Sequence, residues 1–172
     1  MIKKQITFAI IFSKVFIQIF RIEKTNPIVE ENKNFISLSH SNDEINSLIK
    51  IACYDCHSNE VSYPWYSNIA PFSWWIKHHI NEARSELNFS EWGNYSRRKL
   101  DHKLKECIEM IEKNEMPINS YLIMNSKAKL NNNQKAKLIS SFRSLRNFES
   151  DKPKKINNLL FMFRLRFTII IR

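Results

Sequence analysis

The sequence predicts an all-α domain, and three observations carry that expectation. Apolar residues recur at helical spacing in four separate stretches. No alternating apolar–polar run of useful length occurs before residue 160, and no internal repeat is visible. The chain of 172 residues is 43% hydrophobic, with four Trp and twelve Phe, enough to pack one core and leave tails.

The elements follow in order. Residues 1–22 are expected to form an export signal or membrane anchor: Lys3 and Lys4 precede an apolar run from Ile6 to Phe20, broken by Ser13 and Lys14. That run is shorter than the roughly 20 residues that cross a bilayer as a helix. No small-residue cleavage site follows, so an uncleaved anchor with Lys14 snorkelling is expected. An amphipathic surface helix is the alternative. Residues 23–40 read as a polar linker, with Pro27, Glu30 and Glu31.

The domain proper is expected over residues 41–146. Ser41 followed three residues later by Glu44 is a capping-box signature. Ile45, Leu48, Ile49 and Ala52 then form a short amphipathic helix. Residues 58–71, with Ser, Asn and two prolines, should be loop. Phe72, Ile76, Ile80, Ala83 and Leu87 mark a second helix, and residues 88–93 a turn holding the only glycine. A third helix spans roughly 96–114, and Met116-Pro117 ends it in an extended segment. Asparagines at 131–133 cap a last helix that buries Ala136, Leu138, Ile139, Phe142 and Leu145. Residues 147–172 are an atypical tail, apolar from Ile156 but studded with Arg164, Arg166 and Arg172. A disordered extension or out-of-frame readthrough is expected there ahead of a membrane-surface tail.

The most specific pattern is Cys53-Tyr54-Asp55-Cys56-His57, the C-x-x-C-H spacing of covalent haem attachment. Two thiols on one helical turn can each form a thioether to a vinyl group on one porphyrin edge. The adjacent His57 is then placed to coordinate iron from below the ring. Such attachment normally happens outside the cytoplasmic membrane, which agrees with an export segment at the start of the chain. A thioredoxin-like site would need a preceding strand, and a structural zinc site a second ligand pair; neither is present.

Net charge is +10, of which residues 1–40 contribute +3, residues 41–146 +3 and residues 147–172 +4. Basicity concentrated in the tails suits a membrane surface better than nucleic acid. AT-rich coding explains much of it equally well. The third cysteine, Cys107, sits on the apolar stripe Leu100, Leu104, Ile108 and Ile111 and reads as a core residue.

Iron needs a sixth ligand or an open site. Met116 is the expected distal ligand, a soft thioether on a proline-stiffened segment; Met124 is its main rival, followed by a histidine or no protein ligand. His78 and His79 point about 100 degrees apart on a helix, so at most one could meet iron. Solvent contact or a propionate hydrogen bond is the expected role for either. Tyr63, Trp65, Tyr66, Trp74, Trp75 and Trp92 could wall a porphyrin, and Tyr121 could reach a propionate.

From Cys53 to Leu130 the chain resembles the bacterial haem-binding domain family of small c-type cytochromes. The resemblance rests on Cys53 to Asn59, Tyr63 to Trp74, Asn88 to Trp92, Met116-Pro117, Tyr121, and Ala128 to Leu130. It departs at Ala83, where relatives tend to have Gly, and at Asn125-Ser126, where many carry His-Pro. The resemblance implies a small cytochrome c-like domain around one covalent haem c, with Met116 distal. The expected protein is then a non-enzymatic electron carrier, membrane-anchored and facing the periplasm, serving redox partner proteins of a respiratory chain. A haem-based sensor or peroxidase-like protein with a labile sixth ligand is the alternative. So is haem as a structural staple in an interaction domain.

Overall fold

Eight α-helices, joined by short 3-10 turns and one π turn, run through residues 2–151, which the computed structural model describes; no strand occurs among them. The expected tail falls outside these residues from 152 onward. Helix α6 (Arg97–Glu112) and helix α8 (Asn132–Asp151) lie along one another and bury Leu104, Ile108 and Ile111 against Leu138 and Phe142. Both start where side chains satisfy the free N–H groups of the first turn. Ser96 Oγ accepts from Lys99 N, and Asn131 and Gln134 exchange reciprocal bonds of 2.9 Å.

Helix α3 (Asp43–Ile49) packs on α8 through the expected stripe, with Ile45, Leu48 and Ile49 buried. Its cap differs from the expected one. The Asn42 side chain, not Ser41, accepts the Ile45 N–H at 2.9 Å, while the Ser41 carbonyl is occupied by the Asn46 amide. The helix does not stop at the motif. It widens into a π turn over Lys50–Tyr54 and closes with helix α4 (Asp55–His57). A π turn adds one residue to the winding and is frequent at functional sites. Here it keeps Ala52 and Tyr54 in the core while the next turn reaches another wall.

Phe35 is the hub of that core. It is fully buried, meets Phe89, Trp92 and Phe142 edge-on at 4.8–6.2 Å, and lies on helix α2 (Phe35–Ser39). Its neighbour Asn34 caps Ile36 and accepts the buried Tyr54 hydroxyl at 2.8 Å. The stretch expected as linker thus contributes a central ring to the core. Phe35, Ile36 and Leu38 form too short an apolar group to show a helical period, which is why the sequence conceals it. The only glycine explains how this strap sits down. A Cβ on Gly93 would stand 3.0 Å from Lys33 Cα and 3.3 Å from Asn32 O, both backbone atoms that cannot step aside.

Helix α5 (Phe72–Glu86) follows the expected pattern, preceded by a 3-10 turn at Trp65–Asn68 inside the expected loop. Helix α6 ends with Asn114 in the left-handed region, φ 59°, and a short helix α7 (Asn119–Met124) follows Met116-Pro117. Helix α1 (Ile2–Phe16) buries none of its residues. No helix among the described residues is long and apolar enough to cross a membrane, so a spanning anchor finds no support.

Gly93→Ala is expected to destabilise the domain by about 1–3 kcal/mol through forced separation of strap and turn. Denaturant titration of wild type and variant checks this; equal midpoints would contradict the close approach.

Candidate functional site

Helix α4 carries the motif onto helix α5. His57 Nδ1 lies 3.1 Å from the carbonyl oxygen of Ala83 and 3.1 Å from that of Leu87. Carbonyls only accept, so Nδ1 carries the proton and Nε2 keeps its lone pair. Orientation of the ring through its second nitrogen is the usual support of a metal-ligating histidine. Burial lowers the pKa of His57 from its usual value and Lys103 acts in the same sense, outweighing the two hydrogen bonds that favour a charged ring. The imidazole is therefore held neutral, the form that can bind a metal.

Next to Cys56 opens a cavity of about 830 Å³, whose wall does not itself include His57, within the 300–1,000 Å³ typical of sites for drug-sized ligands and cofactors. Three walls enclose it. Asp55 and Cys56 come from α4, and Phe72, Trp75, Ile76, His79 and Ile80 form one stripe of α5. Ile118, Tyr121, Ile123 and Met124 come from α7 and its approach, with Trp65, Tyr66 and Ile69 closing the side. Large apolar side chains here face outward: Trp65 is 70% exposed, Phe72 61% and Ile123 79%. So large an exposed apolar patch marks a binding surface.

The α7 wall is fastened to the motif. Tyr121 Oη donates to Asp55 Oδ2 at 2.7 Å, and Asp55 Oδ1 accepts from Ser62 N at 3.2 Å. Burial, then that bond to Asp55, raises the Tyr121 pKa, so the hydroxyl stays a donor. Tyr121, read from the sequence as able to reach a propionate, clasps two walls together here. Asp55 went unremarked in the sequence, since the middle positions of C-x-x-C-H carry no required chemistry.

The cysteines part company. Cys56 lines the cavity, whereas Cys53 packs against the helical core near Cys107. Burial raises all three thiols, Cys56 to about 11 and Cys107 to about 12, with Asp55 and Glu106 as the next causes. Cys53 is pushed up by burial, then by Cys107 and Cys56. Protonated thiols are poor nucleophiles. Met116 is 37% exposed and lies outside the cavity wall, while Met124 and His79 are part of it. His78 points outward to Glu82 at 3.2 Å. Trp74 bonds the Phe20 carbonyl, and Trp92 belongs to the core. Among the described residues no group of three or more His, Cys, Asp or Glu could hold a bare metal ion. One neutral imidazole at the edge of an apolar chamber suits a metal that arrives inside its own macrocycle.

An all-helical domain with that arrangement defines a haem-binding protein. The model of the haem-binding domain family matches residues 12–144, and the chain belongs to that family. Neither a curated protein nor a solved structure matches it.

The unfolded chain binds the His57 proton near pH 6.5, and the folded chain does not until lower pH. Stability of the haem-free protein is therefore expected to fall as pH drops below about 6.5 and to be flat in this respect above it. Denaturation midpoints of wild type and His57→Leu between pH 5 and 8 check this; parallel profiles would count against a buried neutral ring.

Proposed function

We infer that the protein is a monohaem c-type cytochrome that transfers single electrons outside the cytoplasmic membrane. The observation that carries this reading is the tautomer of His57, locked by two carbonyls directly after Cys53 and Cys56 and beside an apolar chamber. His57 would be the proximal ligand, and Cys53 and Cys56 would carry the thioethers. A haem so held supplies reversible one-electron chemistry at iron. The chain's own residues exclude water with the α5 stripe and close the far wall through the Tyr121–Asp55 bond. Redox proteins of a respiratory chain are the partners such a carrier would serve.

Cys53 points to an order of events. Its thiol sits in the core and stays protonated there, so thioether formation would precede closure of the α3–α8 packing.

Membrane attachment is proposed through α1 lying in the interface rather than crossing it. Lys3, Thr7, Lys14 and Gln18 recur at four- and seven-residue intervals along one stripe, with Phe8, Phe12, Val15 and Phe16 among the exposed apolar residues around it. The root of this helix is fixed to the cavity wall. The Gln18 amide pairs with both Ala70 N and Ala70 O at 2.9 and 3.0 Å, and Trp74 Nε1 donates to Phe20 O at 2.8 Å. The chamber would thus be held at the lipid surface, on the periplasmic side.

Co-expression with a c-type maturation system and an alkaline pyridine spectrum test the main reading. One covalent haem per chain is expected, lost in Cys56→Ser and His57→Leu; a colourless wild-type product with alkylatable thiols would refute it. For the membrane reading, detergent but not high salt should release the protein, and deletion of residues 2–16 should free it. Salt release would point to charge alone.

A further inference from the structure

We propose that His79 is the sixth iron ligand, so that the haem is held between two histidines of this chain; this rests on the haem reading above. Three observations meet at that side chain. First, it stands within the stripe of α5 that faces the chamber, with Phe72, Trp75, Ile76 and Ile80 at helical spacing around it. It is half-buried there, among side chains that are otherwise apolar.

Second, its ring is set up as His57's is. Nδ1 lies 3.0 Å from the Trp75 carbonyl, which only accepts, so Nδ1–H donates and Nε2 keeps its lone pair. The ring also packs on the Trp75 indole with centroids 4.2 Å apart, which restricts its rotation. His78 next to it is engaged by Glu82 and outside the chamber.

Third, both imidazoles are referenced to one rigid element. His57 hangs from the carbonyls of Ala83 and Leu87 at the end of α5, and His79 projects from the same helix one turn before Ala83. Side chains lean toward the N-terminus of their helix, so His79 leans away from His57 and leaves a gap between them. Both rings are thus anchored on neighbouring turns of one helix.

The sulfur alternatives are less well placed. Met116 lies outside the chamber wall, and Met124 is 53% exposed at the end of the six-residue α7. Coordination makes or breaks no bond elsewhere, so no co-reactant is involved.

The test uses the full chain carrying its haem. Ferric wild type is expected to be low-spin by electron paramagnetic resonance, without the sulfur-to-iron charge-transfer band in the far red. His79→Gly should lose the low-spin signal, bind carbon monoxide rapidly when reduced, and regain the low-spin signal on adding free imidazole. His79→Met should gain the sulfur band, and Met116→Leu and Met124→Leu should leave all spectra unchanged. Recovery by imidazole distinguishes a lost ligand from a misfolded domain. The proposal is overturned if wild type shows the sulfur band and either Met variant loses it, or if His79→Gly stays low-spin. A chain that carries no covalent haem would instead refute the functional reading itself.

Discussion

A single imidazole nitrogen, bonded to two backbone carbonyls, is the constraint on which the rest of the site depends. Helix α5 ends at Glu86, where the Ala83 carbonyl takes the Leu87 N–H at 2.9 Å and has room for a second donor from outside the helix. His57 supplies one N–H to both Ala83 and Leu87. The bond closes the end of one helix, fixes the ring of another and selects the tautomer, all at once. A charged His57 could still donate from Nδ1, but burial disfavours the charge, so the structure and the metal-competent form are favoured by the same desolvation. Because α3 and α4 are continuous through the π turn, the position of His57 is set by the core as well. Tyr54, three residues before it, stacks on Phe89 at 5.6 Å and donates to Asn34.

Much of this was legible in the sequence, for a definite reason. Helices α6 and α8 each bury one apolar stripe and α5 turns one to the chamber, so their apolar period showed, and the motif itself marked His57. What stayed hidden depends on contacts without period. Phe35 reaches the core from a polar strap, and the glycine that admits the strap is read only with Lys33 above it. Ser41 and Asn42 are both good caps, and only the backbone path chose Asn42. The membrane reading of the first 22 residues suffered the same limit. Hydropathy registered the apolar run, but the helix stops at Phe16 and residues 17–26 turn back to bond Ala70, Trp74 and Val61.

The distal wall is where the two views differ most. Phe72, Ile76 and Ile80 announced the stripe, and His79, three residues after Ile76, lies on it by the same arithmetic. Its place was obscured by the paired His78, whose contact with Glu82 is that of an ordinary surface residue. The sulfur candidates drew attention through Pro117, a local feature. Local stiffness says nothing about which way a segment faces, and the segment carries Met116 to the outside.

This contrast bears on how the site would behave when iron changes charge. A fast one-electron carrier needs ligands that do not move between oxidation states, and rigid elements supply them better than loops do. Helix α5 is 15 residues long, buries Ile80, and already holds His57 from behind. Helix α7 is six residues long and buries none of them. It is tied to the chamber by Tyr121 to Asp55 and, more weakly, by Asn125 to the Tyr66 hydroxyl at 3.4 Å. A hydroxyl bond to a carboxylate contributes about 1.5–3 kcal/mol net, so the Tyr121 bond is the stronger of the two ties. The two walls therefore suit different tasks. On the proposed reading, α5 would set the geometry at the metal, and α7 would cover the group and admit or exclude solvent.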